Sequence, residues 1–258
     1  MTHRIWEMSY DEVRDYLYNC GSGVVIPFGI VEPHGPHLPM GTDTLLSLGI
    51  SERIAEKFKW LVAAPLNYGI NNTLAIYPGS ATLDDSTYEQ LVSQIIESHI
   101  RTGFTHIVLN NGHGPNHNAL ETAAKRLNHE YPNSRIFLID WWHMDSSARE
   151  QIYEGKTEGH AGIDETAAVI YFFPGLVKKD KFNMKETWIW TEGFRVYPAP
   201  ASCLLRDNES APDFDESKAK AFMEIVLEII FERIQSALDG FEHNLGDEKM
   251  GTVPVNRK

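Results

Sequence analysis

The amino-acid sequence predicts an α/β protein with a largely parallel sheet covered on both faces by helices. Three observations carry this. Short apolar runs rich in Val and Ile alternate with segments of helical periodicity, at the spacing of strand-crossover-strand units. The runs are apolar throughout, as expected of strands buried on both sides. The chain of 258 residues has no internal repeat, low-complexity tract or linker, so a single domain over residues 1–242 is expected, followed by a polar tail at 243–258.

The elements follow in order. Residues 8–19 (MSYDEVRDYLYN) read as a helix, with Ser9 as N-cap and Val13, Leu17 and Tyr18 on one face. GVVIPFGIVE, 23–32, is a buried strand bounded by glycine. Residues 42–58 form the next helix, with Thr42 or Asp43 near its start, and WLVAAPLNYG, 60–69, the second strand. In 85–102 an apolar stripe of Leu91, Ile95, Ile96 and Ile100 marks an amphipathic helix. HIVLNNGHG, 106–114, is a third strand running into a polar, glycine-rich loop. Helix 116–130 and strand 134–142 (SRIFLIDWW) come next, then helix 163–173. Residues 180–214 read as irregular or short strands. A long helix spans 215–238 and stops near Gly240.

Bulk properties exclude several functions. The formal net charge of -13 disfavours nucleic acid and anionic membrane surfaces as partners, since both repel an acidic protein. No stretch reaches the ~18 consecutive apolar residues of a membrane span. The N-terminus lacks the apolar core of a signal peptide, and Cys20 and Cys203 form no disulfide framework, so a cytoplasmic setting is expected.

The chemistry concentrates in loops. Ligands of such sheets bind beyond the carboxyl ends of the strands. There the sequence places VEPHGPHLPMGTD at 31–43, with Glu32, His34, His37 and Asp43; then Asn110, Asn111, Gly112 and His113; then Asp140, Trp141, Trp142 and His143. EGHAGIDETA at 158–167 adds His160 and Glu165 at the start of a helix. Taken alone, Asp43 reads equally as a helix N-cap, and Asn110-Asn111-Gly112 as a turn. Together they read as a metal site. Imidazole nitrogen plus carboxylate oxygen is the donor set of zinc, manganese or iron(II), and no cysteine lies near to supply thiolate. Glu32 and His34, one residue apart, point the same way from extended backbone. Pro33 and Pro36 stiffen the loop, and Asp43 has two oxygens with which to bridge two ions. There is no phosphate loop, dinucleotide fingerprint or nucleophile elbow. Ser80 is a competing nucleophile with no base assigned to it.

Four motifs in sequence order carry a resemblance. EPHGPHLPMGTD at 32–43, YPGSATL at 77–83, NGHGPN at 111–116 and HAGIDET at 160–166 resemble the creatininase (creatinine amidohydrolase) family. The resemblance implies a three-layer α/β/α sandwich, a homo-oligomer, usually a hexamer, and two divalent metal ions per chain. Glu32, His34, Asp43 and His113 match metal ligands, with Asp43 bridging, and Glu165 matches the acidic residue proposed as a further ligand. His160 matches the active-site histidine, with Glu165 beside it in the catalytic set. Trp141 and Trp142 resemble the tryptophans that cover the substrate. His37 matches a motif histidine behind the ligands and, with Asn111, is assigned to the substrate side. Two positions depart from creatininase itself: Pro115 stands where an acidic ligand is expected, and Leu74 where a histidine is. Both point away from creatinine as substrate.

The implied function is metal-dependent hydrolysis, in which metal-activated water adds to a carbonyl of a small cyclic amide, formamide or related molecule. The alternatives are cleavage of a ring C–C bond in a diketo-inositol-type polyol, and a metal-binding protein without turnover.

Overall fold

The computed structural model describes residues 3–156, 159–191, 193–206 and 211–245. Its centre is β1 (Gly23–Phe28), whose six residues are all buried. β1 pairs in parallel with β2 (Leu61–Val62) on one side and β3 (His106–Asn111) on the other; β4 (Arg135–Asp140) pairs in parallel beyond β3. The order is β2-β1-β3-β4.

Side chains alternate across this sheet into two cores. Val25 and Val108 pack with α2 (Thr42–Phe58), α6 (Ile163–Phe172) and α7 (Glu216–Leu245). Val24, Ile26, Phe28, Ile107 and Leu109 pack on the opposite face with α1 (Tyr10–Asn19), α3 (Asp85–Arg101) and α4 (His117–Glu130). This is the expected three-layer α/β/α sandwich, and the apolar strands are apolar because each feeds both cores. Local signals agree with it. Ser9 and Glu12 form a reciprocal capping box at α1, and Asp84 caps α3 by accepting from Thr87 N–H.

The clearest differences from expectation are three. The second strand is two residues long, not ten, since Pro65 has no N–H to give a continued ladder. The edge carries on as single contacts, with Leu66 N–H donating to Pro27 and Gly29 N–H to Leu66. A further helix, α5 (Ser146–Tyr153), lies between the expected strand 134–142 and helix 163–173. α7 does not stop at Gly240 but runs to Leu245. Phe241, one residue past the glycine, packs edge-on against Phe137 and under the Arg135 guanidinium, which offsets the helix cost of glycine. Residues 243–245 of the expected tail therefore belong to the helix; 246–258 lie outside the described residues. Within 180–214, β5 (Trp188–Trp190) and β6 (Leu204–Arg206) form a separate two-stranded parallel sheet.

Among the described residues no helix is long and apolar enough to cross a membrane.

Candidate active site

The carboxyl ends of β1 and β3 open side by side, because the two strands pair from Gly23↔His106 to Phe28↔Asn111. The loop after β1 delivers Glu32 and His34, and the first turn of α2 delivers Asp43. The loop after β3 delivers His113. His160 and Glu165 come from the turn leading into α6 and from its first turn. Gly112 makes the convergence possible: a β-carbon there would strike the backbone carbonyl of Asp43.

Three imidazoles share one arrangement. Each hydrogen-bonds a backbone carbonyl with one nitrogen, and a carbonyl only accepts, so that nitrogen carries the proton. His34 uses Nδ1 on Glu32 O at 3.1 Å, His113 uses Nε2 on Ile70 O at 2.8 Å, and His160 uses Nε2 on Pro33 O at 2.7 Å. The other nitrogen of each then faces carboxylates. His34 Nε2 lies 2.8 Å from Asp43 Oδ1 and 3.7 Å from Glu165 Oε2. His113 Nδ1 lies 2.8 Å from Asp43 Oδ2 and 3.3 Å from Glu32 Oε1. His160 Nδ1 lies 3.6 Å from Glu32 Oε1. Fixing the far nitrogen of a histidine on a carbonyl is how proteins orient metal ligands.

Two triads result, Glu32–Asp43–His113 and His34–Asp43–Glu165, with the donor atoms of each within 4.8 Å of one another. Asp43 belongs to both and turns one oxygen toward each. A third grouping of the same compactness, Glu32–His34–His160, brings in the remaining imidazole.

The electrostatics follow from burial of these charges. Burial pushes the His34 pKa down, but Asp43, Glu165 and Glu32 outweigh it and hold it at about 10. His113 is also opposed by burial, yet Glu32 and Asp43 raise it to about 9. Burial raises Glu165 to about 8 against the pull of His34, and raises Glu32 as well. Asp43 is lowered despite its burial, because His34 and His113 flank it. His160 goes the other way, to about 3, through burial and the neighbouring His34, whose ring centroid is 4.3 Å away. The cluster thus takes up protons where positive charge is needed, and leaves His160 neutral.

Glu32, Asp43, His113, His160 and Glu165 line a cleft of about 280 Å³; His34 is fully buried behind it. Trp142, Pro115 and Leu74 also line it. The sequence-predicted ligand residues are therefore together in one place.

Trp141, His37 and Asn111, expected on the substrate side, are buried and do not line the cleft. Trp141 is 1% exposed and packs in the core with Ile163 and Phe222, because consecutive side chains of the short helical turn 141–143 diverge. His37 hydrogen-bonds Thr166 Oγ1 at 3.2 Å and meets the rings of Phe182 and Phe214 edge-on. Its burial lowers its pKa to about 4, so it is a neutral strut between the motif loop and α6. Asn111 is buried; its Oδ1 accepts from His113 N–H and its Nδ2 donates to Asp140 Oδ1 at 2.8 Å. It holds the backbone of His113 in place. Ser80 donates its hydroxyl to the Leu74 carbonyl at 3.0 Å and does not line the cleft.

The cleft also holds residues the sequence reading missed: Asn71, Thr73, Asp164, Trp190 and Arg206. Asp164 had a signal, an acidic doublet with Glu165 at a helix start. Trp190 and Arg206 sit on three-residue strands, too short for a period to show, and Asn71 and Thr73 on irregular segments.

In sequence and in fold the chain is similar to several known proteins. The creatinine amidohydrolase from Pseudomonas putida is 28% identical over 254 residues, covering 91% of this chain and 95% of its own. A 3-dehydro-scyllo-inosose hydrolase from Thermotoga maritima is 28% identical over 183 residues, or 67% of this chain and 57% of its own. A mycofactocin precursor peptide peptidase from Mycobacterium ulcerans is 27% identical, covering 62% of each chain. In fold, a manganese form of creatininase superposes with a TM-score of 0.80 at 23% identity, over 92% of this chain and 99% of that one. A mutant creatininase of zinc-zinc type gives 0.79, also at 23% identity, over 92% and 98%. The family model for creatininase, described as creatinine amidohydrolase, matches residues 6–212, and the chain belongs to this family of hydrolases.

Proposed function

We propose that the protein is a metal-dependent hydrolase acting at the carbonyl carbon of a small cyclic amide, formamide or related substrate other than creatinine. The observation that carries this is the sharing of Asp43 between two compact triads of nitrogen and oxygen donors.

The residues fit a pair of divalent cations. Asp43 Oδ2 is buried and accepts no well-aligned hydrogen bond, although His113 Nδ1 lies 2.8 Å away. With Nε2–H committed to Ile70, His113 Nδ1 faces two carboxylates, an arrangement that calls for positive charge there, which a proton supplies in the metal-free protein and a cation would supply in its place. Glu32, Asp43 and His113 would hold one ion; His34, Asp43 and Glu165 the other. The mixed donors suit zinc, manganese or iron(II). Bound there, such ions would bring the pKa of water down to about 7 and polarise a carbonyl oxygen.

The chain's own groups supply the rest. His160 is neutral at pH 7, with its proton on Nε2 held by the Pro33 carbonyl. Its Nδ1 is the acceptor that takes a proton on the cleft side and returns it to the leaving nitrogen. Trp142 walls the cleft and excludes water. Glu165 Oε2 accepts from Ala161 N–H at 2.7 Å, which fixes its carboxylate relative to His160.

Pro115 and Leu74 line the cleft where creatininase is expected to carry an acidic ligand and a histidine, which is why creatinine is set aside. Ring C–C cleavage of a cyclic polyol is a second reading, favoured by the polar wall of Asn71, Thr73 and Asp164. The test is metal analysis of protein purified without chelator, then turnover of cyclic amides, formamides and cyclic diketo polyols with manganese, zinc or iron(II) added separately. Stoichiometric transition metal and amide turnover are expected. Protein without such metal, or active in excess chelator, overturns the proposal.

A further inference from the structure

We propose that the catalytic cleft has a second arm, an aromatic trough that takes a flat aromatic or heteroaromatic portion of the substrate. This rests on the hydrolase reading and names the substrate class for it.

The cleft borders a second cavity of about 180 Å³, and Thr73, His160, Trp190 and Leu204 wall both. The second cavity is otherwise lined by Trp188, Phe194, Arg195, Val196 and Tyr197. Its size suits one ring system: a dry cavity of roughly 150 Å³ in another protein accepts benzene. Its chemistry suits a flat one, since four aromatic side chains offer faces and edges for stacking.

The trough is built in register with the site. Trp188 and Trp190 alternate with Ile189 along β5, so they share one side of the small sheet. β6 ties that sheet to the active-site histidine, as Leu204 N–H donates to the His160 carbonyl at 2.9 Å. The Arg206 guanidinium lies 5.1 Å from the Trp190 ring centre, and Trp188 and Phe194 meet edge to face at 6.3 Å. The far wall is pinned too: Ala199 N–H donates to the Thr73 carbonyl and Tyr77 donates its hydroxyl to the Ala199 carbonyl. Phe194 and Tyr197 are nonetheless 60% and 62% exposed, apolar rings set at the rim of a concavity that opens onto the reacting groups. A substrate whose hydrolysable carbonyl sits at Asp43 and His160 extends into this trough past Trp190.

The experiment compares two formamides of similar size on the metal-loaded full chain, flat formanilide and puckered N-cyclohexylformamide. Dissociation constants are read by ligand-observed NMR, without need of turnover. Formanilide is expected to bind roughly tenfold more tightly, and Phe194→Ala and Tyr197→Ala each to cut that preference by about threefold or more. Both positions are exposed, and thermal melting checks that each variant folds. Equal affinities, or a preference untouched by both variants, overturn the trough. So does loss of a self-assembled form in the variants with the preference intact, which makes the patch a contact between copies. Binding that behaves as expected without hydrolysis under any metal leaves the trough standing and removes the amide-hydrolase reading instead.

Discussion

The backbone carbonyl of Asp43 occupies the space that a β-carbon on Gly112 would need. This approach of the β3 end to the α2 start is what sets His113 Nδ1 2.8 Å from the Asp43 carboxylate. Gly112→Ala must push the two apart. Overpacking of this kind costs about 1–3 kcal/mol. A lowered melting temperature together with reduced bound metal is expected, read by calorimetry and elemental analysis. Wild-type metal content in a folded Gly112→Ala protein would contradict the assigned role of this contact.

Because Asp43 serves both triads, its loss should differ in kind from loss of either histidine. Asp43→Asn keeps the shape and removes the charge shared by two sites. It is expected to lose both ions and turnover with them. His113→Ala removes a donor from one triad and His34→Ala from the other, so each should retain one ion. Counting metal atoms per chain separates these outcomes. Equal metal loss in all three variants would mean a single site.

Asn111 bridges His113 N–H and Asp140 from behind the cleft wall. Removing such a support behind a ligand typically costs about 10–100-fold in metal affinity or activity. Asn111→Ala should therefore fold and bind metal more weakly by that order, measured by competition with a chelator of known affinity. Unchanged affinity would leave Asn111 as packing.

Much of this was legible in the sequence, and the failures have physical causes. β1 and β3 read clearly because Val24, Val25, Ile26 and Ile107 through Leu109 feed two cores at once. The ligand set read clearly because the site is built from short loops at strand ends, where polar residues have no packing reason to gather. What failed was direction. Trp141 and Trp142 are adjacent, yet one enters the core and the other the cleft. No sequence period reports how a single helical turn is rotated. Trp190 and Arg206 reach the cleft from the three-residue strands β5 and β6, too short for a period to show, and Asn71 from an irregular segment whose course is set by hydrogen bonds such as Asn71 Oδ1 accepting from Leu74 N–H. α5 is eight residues, too short for its periodicity to stand out.

His160 differs from His34 and His113 in being held neutral. A proton-transfer role predicts that His160→Ala keeps its metal while kcat falls by about 10²–10⁴-fold. Steady-state kinetics on whichever substrate the panel identifies, with metal content measured on the same sample, checks this. Loss of metal in parallel with rate would move His160 into the ligand set through the Glu32–His34–His160 grouping.

Metal binding should release protons, and the sign can be worked out. In the metal-free protein His34 and His113 are raised to about 10 and about 9, and Glu165 to about 8, so all three carry protons at pH 7. A ligand must give up its proton to bind. Titration calorimetry in buffers of different ionisation enthalpy is expected to report at least one proton released per ion, and affinity should weaken as pH falls. Stability follows the same linkage. Histidines raised in the folded state contribute stability that is fully present below about pH 6.5, the unfolded value, and is lost as pH rises through 9 to 10. The metal-free protein should thus melt at progressively lower temperature from about pH 6.5 to about pH 9, while the metal-loaded protein, whose imidazoles are already deprotonated, should not. Parallel melting curves across that range would show that the protons sit elsewhere.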